Sequence, residues 1–283
     1  MLKVRLAGRI LLFAGAALLL AAILGNWTRL GRYRSAPPRP WERFSPELAA
    51  RTPDLDALFA EAQARAGGRL AALPPDRAMA ILFDVTAERF THGDESTYGF
   101  FGNWTLRALA PLKKGGRFFI TDADMALRYG HSALCDEIAF VLMQLAGKSG
   151  IPSRLAQLGG HVIMEAGYDN GWHAYDPDME VVVRDGAGPV LDVETLVREP
   201  ERVRAAYASR GGAGYGELMA GIFASREDNR TIFLRAPGGS GSPGMRSRPG
   251  EVEWIGRYAR FAIPAALIVS GGGILLAAKG KKS

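Results

Sequence analysis

The chain has almost no cysteine: Cys135 is the only one in 283 residues, so no intrachain disulfide can form. In an oxidising compartment a lone thiol is either buried and inert or chemically employed. Histidine is scarce too, with His92, His131, His161 and His173. No C-x-x-C or H-E-x-x-H pattern occurs, which argues against a metal centre, and no metal or cofactor is expected. A site built on Cys135, His131, His161 and His173 lacks any convincing ligand spacing. No internal repeat is present.

Positive charge is missing where the fold should be. Residues 1–43 hold eight Lys/Arg against Glu42, and 246–283 hold seven against Glu251 and Glu253. Out of a chain total of +6, that leaves 44–245 at −6. An acidic domain is repelled by phosphate backbones, so a nucleic-acid partner is excluded. The basic flanks suit anionic lipid headgroups.

Charge is absent altogether from 10–27 and from 261–278, and each run is about long enough to cross a hydrocarbon layer of roughly 30 Å. The first run sits where a signal peptide would, but no A-x-A cleavage site follows it. Gly271, Gly272 and Gly273 in the second run are tolerated in a bilayer and permit close helix packing. Two spans put both basic tails on one side. Arg29, Arg32, Arg34, Arg39 and Arg43 after the first run rival the charges before it, so the loop charges do not choose the side; short basic tails are more often cytoplasmic, and the expectation is a plasma or inner membrane location with the central domain periplasmic or extracellular. The chain therefore divides into a basic tail 1–9, a membrane helix 10–27, a Pro/Arg-rich linker 28–45 and a folded domain 46–235. A Gly/Pro/Ser-rich and juxtamembrane stretch 236–258, a membrane helix 259–278 and a basic tail 279–283 follow.

Within the domain, Thr52-Pro53-Asp54 offers an N-cap for a helix to about Arg65, and helices are expected over 75–90, 104–112 and 192–209. The strongest runs from Ser132, read as N-cap, to Lys148, with Leu134, Ile138, Val141, Leu142 and Leu145 in one stripe. Gly150-Ile151-Pro152 ends it. Strands are expected at 154–158, 161–166 and 172–175. Helices followed by strands indicate an α+β fold.

With Ser132 as cap, Cys135 falls in the first helical turn, where unpaired N–H groups and the dipole favour a thiolate. His161 starts a strand, and Asp176 can fix its tautomer. Side-chain alternation puts both on one face if the hairpin loop is even-numbered. Direct opposition requires a four-residue loop, 167–170, and that loop is the expectation. His92 reads as a loop residue.

In chain order, Cys135-Asp136-Glu137, Gly150-Ile151-Pro152-Ser153-Arg154, Gly160-His161-Val162-Ile163-Met164-Glu165 and Trp172-His173-Ala174-Tyr175-Asp176-Pro177 resemble the core of transglutaminase-like domains. The resemblance covers about 78–180. Ala133 stands where the family often has glycine, and the interval from Cys135 to His161 is shorter than in many members. The resemblance implies a papain-like core, with N-terminal helices and a catalytic helix packed on an antiparallel sheet, flanked here by the two spans. It also implies a bacterial, membrane-anchored thiol enzyme that acts on amide or ester bonds of a protein or peptide through an acyl-thioenzyme. Its triad would be Cys135, His161 and Asp176. Trp104, Trp172 and His173 are candidates for lining the substrate cleft. A second reading keeps the fold without chemistry, as a scaffold for a peptide or envelope component, with envelope proteins as assembly partners.

Overall fold

A computed structural model describes residues 2–27, 36–93, 99–112, 123–225 and 251–280. The Arg-rich part of the first linker at 28–35 and the low-complexity linker 236–250 lie outside the described residues.

Helix α1 (Leu2–Trp27) is followed by α2 (Pro46–Arg51), which starts where the sequence places the beginning of the domain. Its N-cap is Ser45, whose side chain accepts from the Leu48 N–H. Thr52 is the C-cap of α2 and not the start of the next helix; its hydroxyl is turned back on the Leu48 carbonyl at 2.7 Å. The N-cap of α3 (Leu55–Arg65) is Asp54, which accepts from the Ala57 N–H. Then come α4 (Pro75–Arg89), the two-residue strand β1 (Thr91–His92), α5 (Phe100–Leu109), α6 (Ala123–Tyr129) and a second short strand β2 (Ser132–Ala133).

The long central helix α7 (Cys135–Lys148) leads into β3 (Ser153–Leu158), β4 (His161–Tyr168) and β5 (Gly171–Tyr175). The stretch expected as one helix over 192–209 is two, α8 (Val193–Arg198) and α9 (Pro200–Gly211). Proline cannot donate to an ongoing helix, so Pro200 closes one and opens the next. Helix α10 (Ala213–Ala224) and the terminal α11 (Glu251–Gly280) complete the described elements.

Two compact units emerge, one made of α1, α5 and α11 and the other of the described residues 36–93 and 123–225. In the helical unit, α1 and α11 run antiparallel: the Arg5 guanidinium donates to the Ala278 carbonyl at one end, and Gly15 meets Pro264 further along. Two segments, Leu2–Gly25 and Tyr258–Gly280, are long and apolar enough to cross a membrane.

Their crossing depends on small residues. A Cβ at Gly271 would fall 2.6 Å from the Gly8 carbonyl oxygen and 2.7 Å from the Leu12 nitrogen, both backbone atoms that cannot yield. Gly272 and Gly273 have nothing within 4 Å, so only the first residue of the glycine triplet is an interface position. Gly271→Leu is therefore expected to lower the unfolding midpoint of the detergent-solubilised protein clearly, and Gly273→Leu to leave it near wild type. Equal midpoints for the two variants would contradict this packing.

The second unit is mixed α+β. Its sheet has the order β3-β4-β5, antiparallel throughout, and helices cover both faces. Alternation along the strands sends Leu155, Met164, Ala166 and Tyr175 into a core with α3, α4 and α7. It sends Ala156, Leu158, Ile163 and Ala174 into a second core with α8, α9 and α10. A sheet buried on both sides explains why 161–166 reads as an almost unbroken apolar run. Strands β1 and β2 form a separate parallel pair, Thr91 with Ser132 and His92 with Ala133.

Candidate functional site

Cys135 is the first residue of α7, and the residue before it, Leu134, is the N-cap. Ser132 does not cap the helix. It lies in β2, where its hydroxyl contacts the Thr91 hydroxyl at 3.0 Å and accepts from the Ala36 N–H at 2.8 Å. The helix end is instead closed by Glu137, whose carboxylate reaches back to accept from the Leu134 N–H at 3.0 Å. The thiol thus stands at the very start of the helix, beside first-turn N–H groups that have no carbonyl four residues back to donate to; that of Glu137 donates to Asp136 Oδ1 at 3.0 Å. It is part exposed.

The hairpin between β4 and β5 is tighter than the four-residue loop expected from the sequence. Tyr168 pairs with Gly171 across two residues, Asp169 and Asn170, whose φ values of 48° and 61° are those of a type I′ turn. Met164 therefore faces Tyr175, and Asp176 sits one step further on, displaced along the strand from a position opposite His161. Both remain on one face because the loop is even-numbered. The displacement is bridged by side chains: His161 Nε2–H donates to Asp176 Oδ2 at 2.6 Å.

Asp176 is fixed from three sides. Its Oδ1 accepts from the Met179 N–H at 3.0 Å, and its Oδ2 also accepts from the Tyr207 hydroxyl at 2.7 Å. Reciprocal backbone bonds with Val181 close the loop that carries it. Tyr207, on α9, is fully enclosed; burial and the Asp176 carboxylate hold its hydroxyl well above the ordinary phenol value, so it stays a donor. Nothing in the sequence singles Tyr207 out, because four residues after Val203 on a helix it reads as core.

With Nε2 committed to Asp176, the other ring nitrogen of His161 is the one available to the Cys135 thiol, whose sulfur lies within 4.8 Å of a His161 ring nitrogen. Burial by itself would drive the imidazole towards its neutral form, but Asp176 and then Cys135 outweigh it. The protonated ring is favoured well above the ordinary histidine value.

A fourth residue belongs here. Asp178, 3% exposed, brings a carboxylate oxygen into a group with Cys135 Sγ and a His161 ring nitrogen, all within 4.8 Å of one another. His92, expected in a loop, is in β1, and its Nδ1–H donates to Asp178 Oδ1 at 2.8 Å and Oδ2 at 3.0 Å. The donor set of Cys135, His161 and Asp178 can hold a metal ion. It shares two members with the metal grouping weighed from the sequence and replaces His131 and His173 by an acid. The only sequence signal for Asp178 is the second acid of Asp176-Pro177-Asp178.

The other candidates lie elsewhere. Trp104 belongs to the helical unit, where its indole N–H donates to the Arg260 carbonyl at 3.1 Å. Trp172 packs under the Arg154 guanidinium, 3.9 Å from the ring centre. His173 is on the opposite face of the sheet from His161, stacked on Tyr168 at 3.8 Å, with its nitrogens against the Val190 and Tyr168 carbonyls. His131 stacks on Phe44. A separate cleft of about 470 Å³ is lined by Trp41, Phe83 and Tyr175 together with Arg43, whose guanidinium is already paired with Asp84 and Glu180.

No protein-family model, curated protein or solved structure matches the chain.

Proposed function

We propose that the chain is a membrane-anchored thiol enzyme of transglutaminase-like type, with a papain-like core, acting on amide or ester bonds of a protein or peptide at the outer face of the membrane. The observation that carries this reading is the His161–Asp176 hydrogen bond with the Cys135 sulfur within 4.8 Å of a His161 ring nitrogen, in which the thiol opens a helix and the carboxylate is held by Tyr207 and Met179.

In this mechanism His161 takes the thiol proton, and Cys135 Sγ adds to the substrate carbonyl. The backbone N–H groups at the start of α7, nearest the sulfur, are the donors this reading assigns to the developing oxyanion. The carbon to nitrogen or oxygen bond then breaks, and His161 returns the proton to the leaving amine or alcohol. The acyl-thioenzyme that remains is resolved by water in a hydrolase or by an amine in an acyltransferase. Asp176 keeps Nε2 protonated, so that the other nitrogen is free to move the proton. The antiparallel terminal helices with basic ends favour tails in the cytoplasm and a domain outside.

Alkylation of Cys135 by iodoacetamide tests the reading. A free thiol has a pKa of about 8.5 and is well under 1% ionised at pH 6. The thiol paired with His161 is expected to react on the order of 100-fold faster there, and His161→Ala to remove that advantage. The sign follows from the raised value of His161. Its contribution to folding is whole below the ordinary value of 6.5 and is lost as pH rises through the higher folded value. Rapid alkylation should accordingly persist through neutrality. A rate at pH 6 equal to that of a free thiol would remove the enzyme reading. Protection of Cys135 from an impermeant thiol reagent in intact cells would reverse the sidedness.

A further inference from the structure

We infer that Cys135, His161 and Asp178 form a binding site for a single borderline-soft divalent cation, Zn2+ by preference, which silences the thiol when it is bound. The inhibitory consequence rests on the thiol-enzyme reading; the site itself rests on the ligands. Thiolate, imidazole and carboxylate are the donors that Zn2+ takes, and three protein ligands leave a fourth position for water.

The three donor atoms lie within 4.8 Å of one another. In a tetrahedral zinc site with ordinary bond lengths they would stand about 3.5 Å apart. Cys135 is the part-exposed member and rotates about a single side-chain torsion, so its sulfur can adjust to an ion that enters from its side.

Outer partners are already in place. Metal-bound histidines donate their second ring N–H to a carboxylate or carbonyl, and ligating carboxylates are themselves hydrogen bonded. Here the Nε2–H of His161 donates to Asp176, leaving the other nitrogen as ligand, and the Nδ1–H of His92 donates to both oxygens of Asp178. Asp178 is 3% exposed and His161 7%, so both ligands are held by packing before any ion arrives. The Cys135–His161 couple shares one proton, and metal binding releases it to solvent while the sulfur and nitrogen lone pairs form the new bonds.

The test is Co2+ titration of the full detergent-solubilised chain, with Zn2+ as competitor. One equivalent of Co2+ should give intense tetrahedral d–d bands with a thiolate charge-transfer band, displaced by Zn2+. Cys135→Ser should lose the charge-transfer band, and Asp178→Asn should weaken binding at least as much as loss of an outer partner, about 10- to 100-fold. His92 is a positioning residue: His92→Ala should cost a similar factor and shift the cobalt spectrum, and His92→Asn, which can still donate to Asp178, should recover it. Weak octahedral spectra in the wild type, or equal affinity in Cys135→Ser, would overturn the inference. Iodoacetamide separates the two readings. Reactive Cys135 without a cobalt site sinks the metal inference alone, and a cobalt site with an inert thiol sinks the enzyme reading alone.

Discussion

Asp176→Asn is expected to lower turnover by on the order of 10⁴-fold while the protein stays folded, the scale found when the orienting acid of a triad becomes an amide. The carboxylate accepts three hydrogen bonds, from His161 Nε2–H, the Tyr207 hydroxyl and the Met179 N–H. Asparagine has one acceptor oxygen and must turn its NH2 to one of these partners. If that partner is His161, Nε2 becomes an acceptor and the ring proton moves to the nitrogen facing Cys135. A protonated neutral ring there cannot take the thiol proton. The loss should appear in kcat with an ester substrate, with little change in KM, because Asp176 is 2% exposed and out of reach of a bound substrate. Asp176→Ala goes further, leaving a buried hydroxyl and a buried imidazole without their acceptor, at a cost of about 3–5 kcal/mol. A kcat within tenfold of wild type for Asp176→Asn would show that Asp176 does not orient His161.

That pair also shows what the sequence could and could not convey. Alternation along a strand has a period of two, so residues 161 and 176 share a face for any even loop, and this much follows from counting. The register does not. It was decided by Asp169 and Asn170 both adopting left-handed conformations, which asparagine and aspartate tolerate, in place of a wider loop from Gly167. The error of register left the His161–Asp176 contact intact because a diagonal pair is still within side-chain reach.

Ser132 is a different kind of failure. A serine before an amphipathic run is a sound cap signal, but its hydroxyl was claimed by Thr91 and Ala36, residues far away in the chain. Tertiary contacts overrode a local rule. The terminal helices, by contrast, were legible as apolar runs and at their C-terminal ends, since an apolar run needs no partner to be recognised, but the helices start earlier than the runs expected at 10 and 259, at Leu2 and Glu251. His92 and Asp178 were illegible as a pair because nothing local links a two-residue strand to the loop after β5. Helices on both faces of the sheet were likewise invisible to a reading that counted helices before strands.

The largest effect on stability is expected at Arg89, which lies outside the reacting groups. Its guanidinium is 1% exposed and donates to three carbonyls: Thr52 at 3.2 Å, Gly130 at 3.1 Å and Leu127 at 2.6 Å. Thr52 ends α2, and Leu127 and Gly130 lie at the end of α6. One side chain on α4 therefore satisfies the C-terminal carbonyls of two other helices, which a helix cannot do for itself. Arg89→Met keeps the apolar stem and removes every donor. Each carbonyl left buried without one costs about 1–3 kcal/mol, and even partial relaxation leaves a loss of at least about 3 kcal/mol. For a domain of this size that lowers Tm by roughly 6–12 °C in a thermal melt. Arg89→Lys should fall between the two, because a single ammonium cannot reproduce the planar fork. The effect should also reach the thiol. The chain leaves Gly130, gives the His131 carbonyl to the Thr91 N–H at 2.7 Å, and enters α7 at Cys135 only a few residues later. Arg89→Met is therefore expected to blunt the rapid alkylation of Cys135 at pH 6 even below its lowered Tm. A melting point within 2 °C of wild type, measured by near-ultraviolet circular dichroism, would show that these carbonyls find other donors.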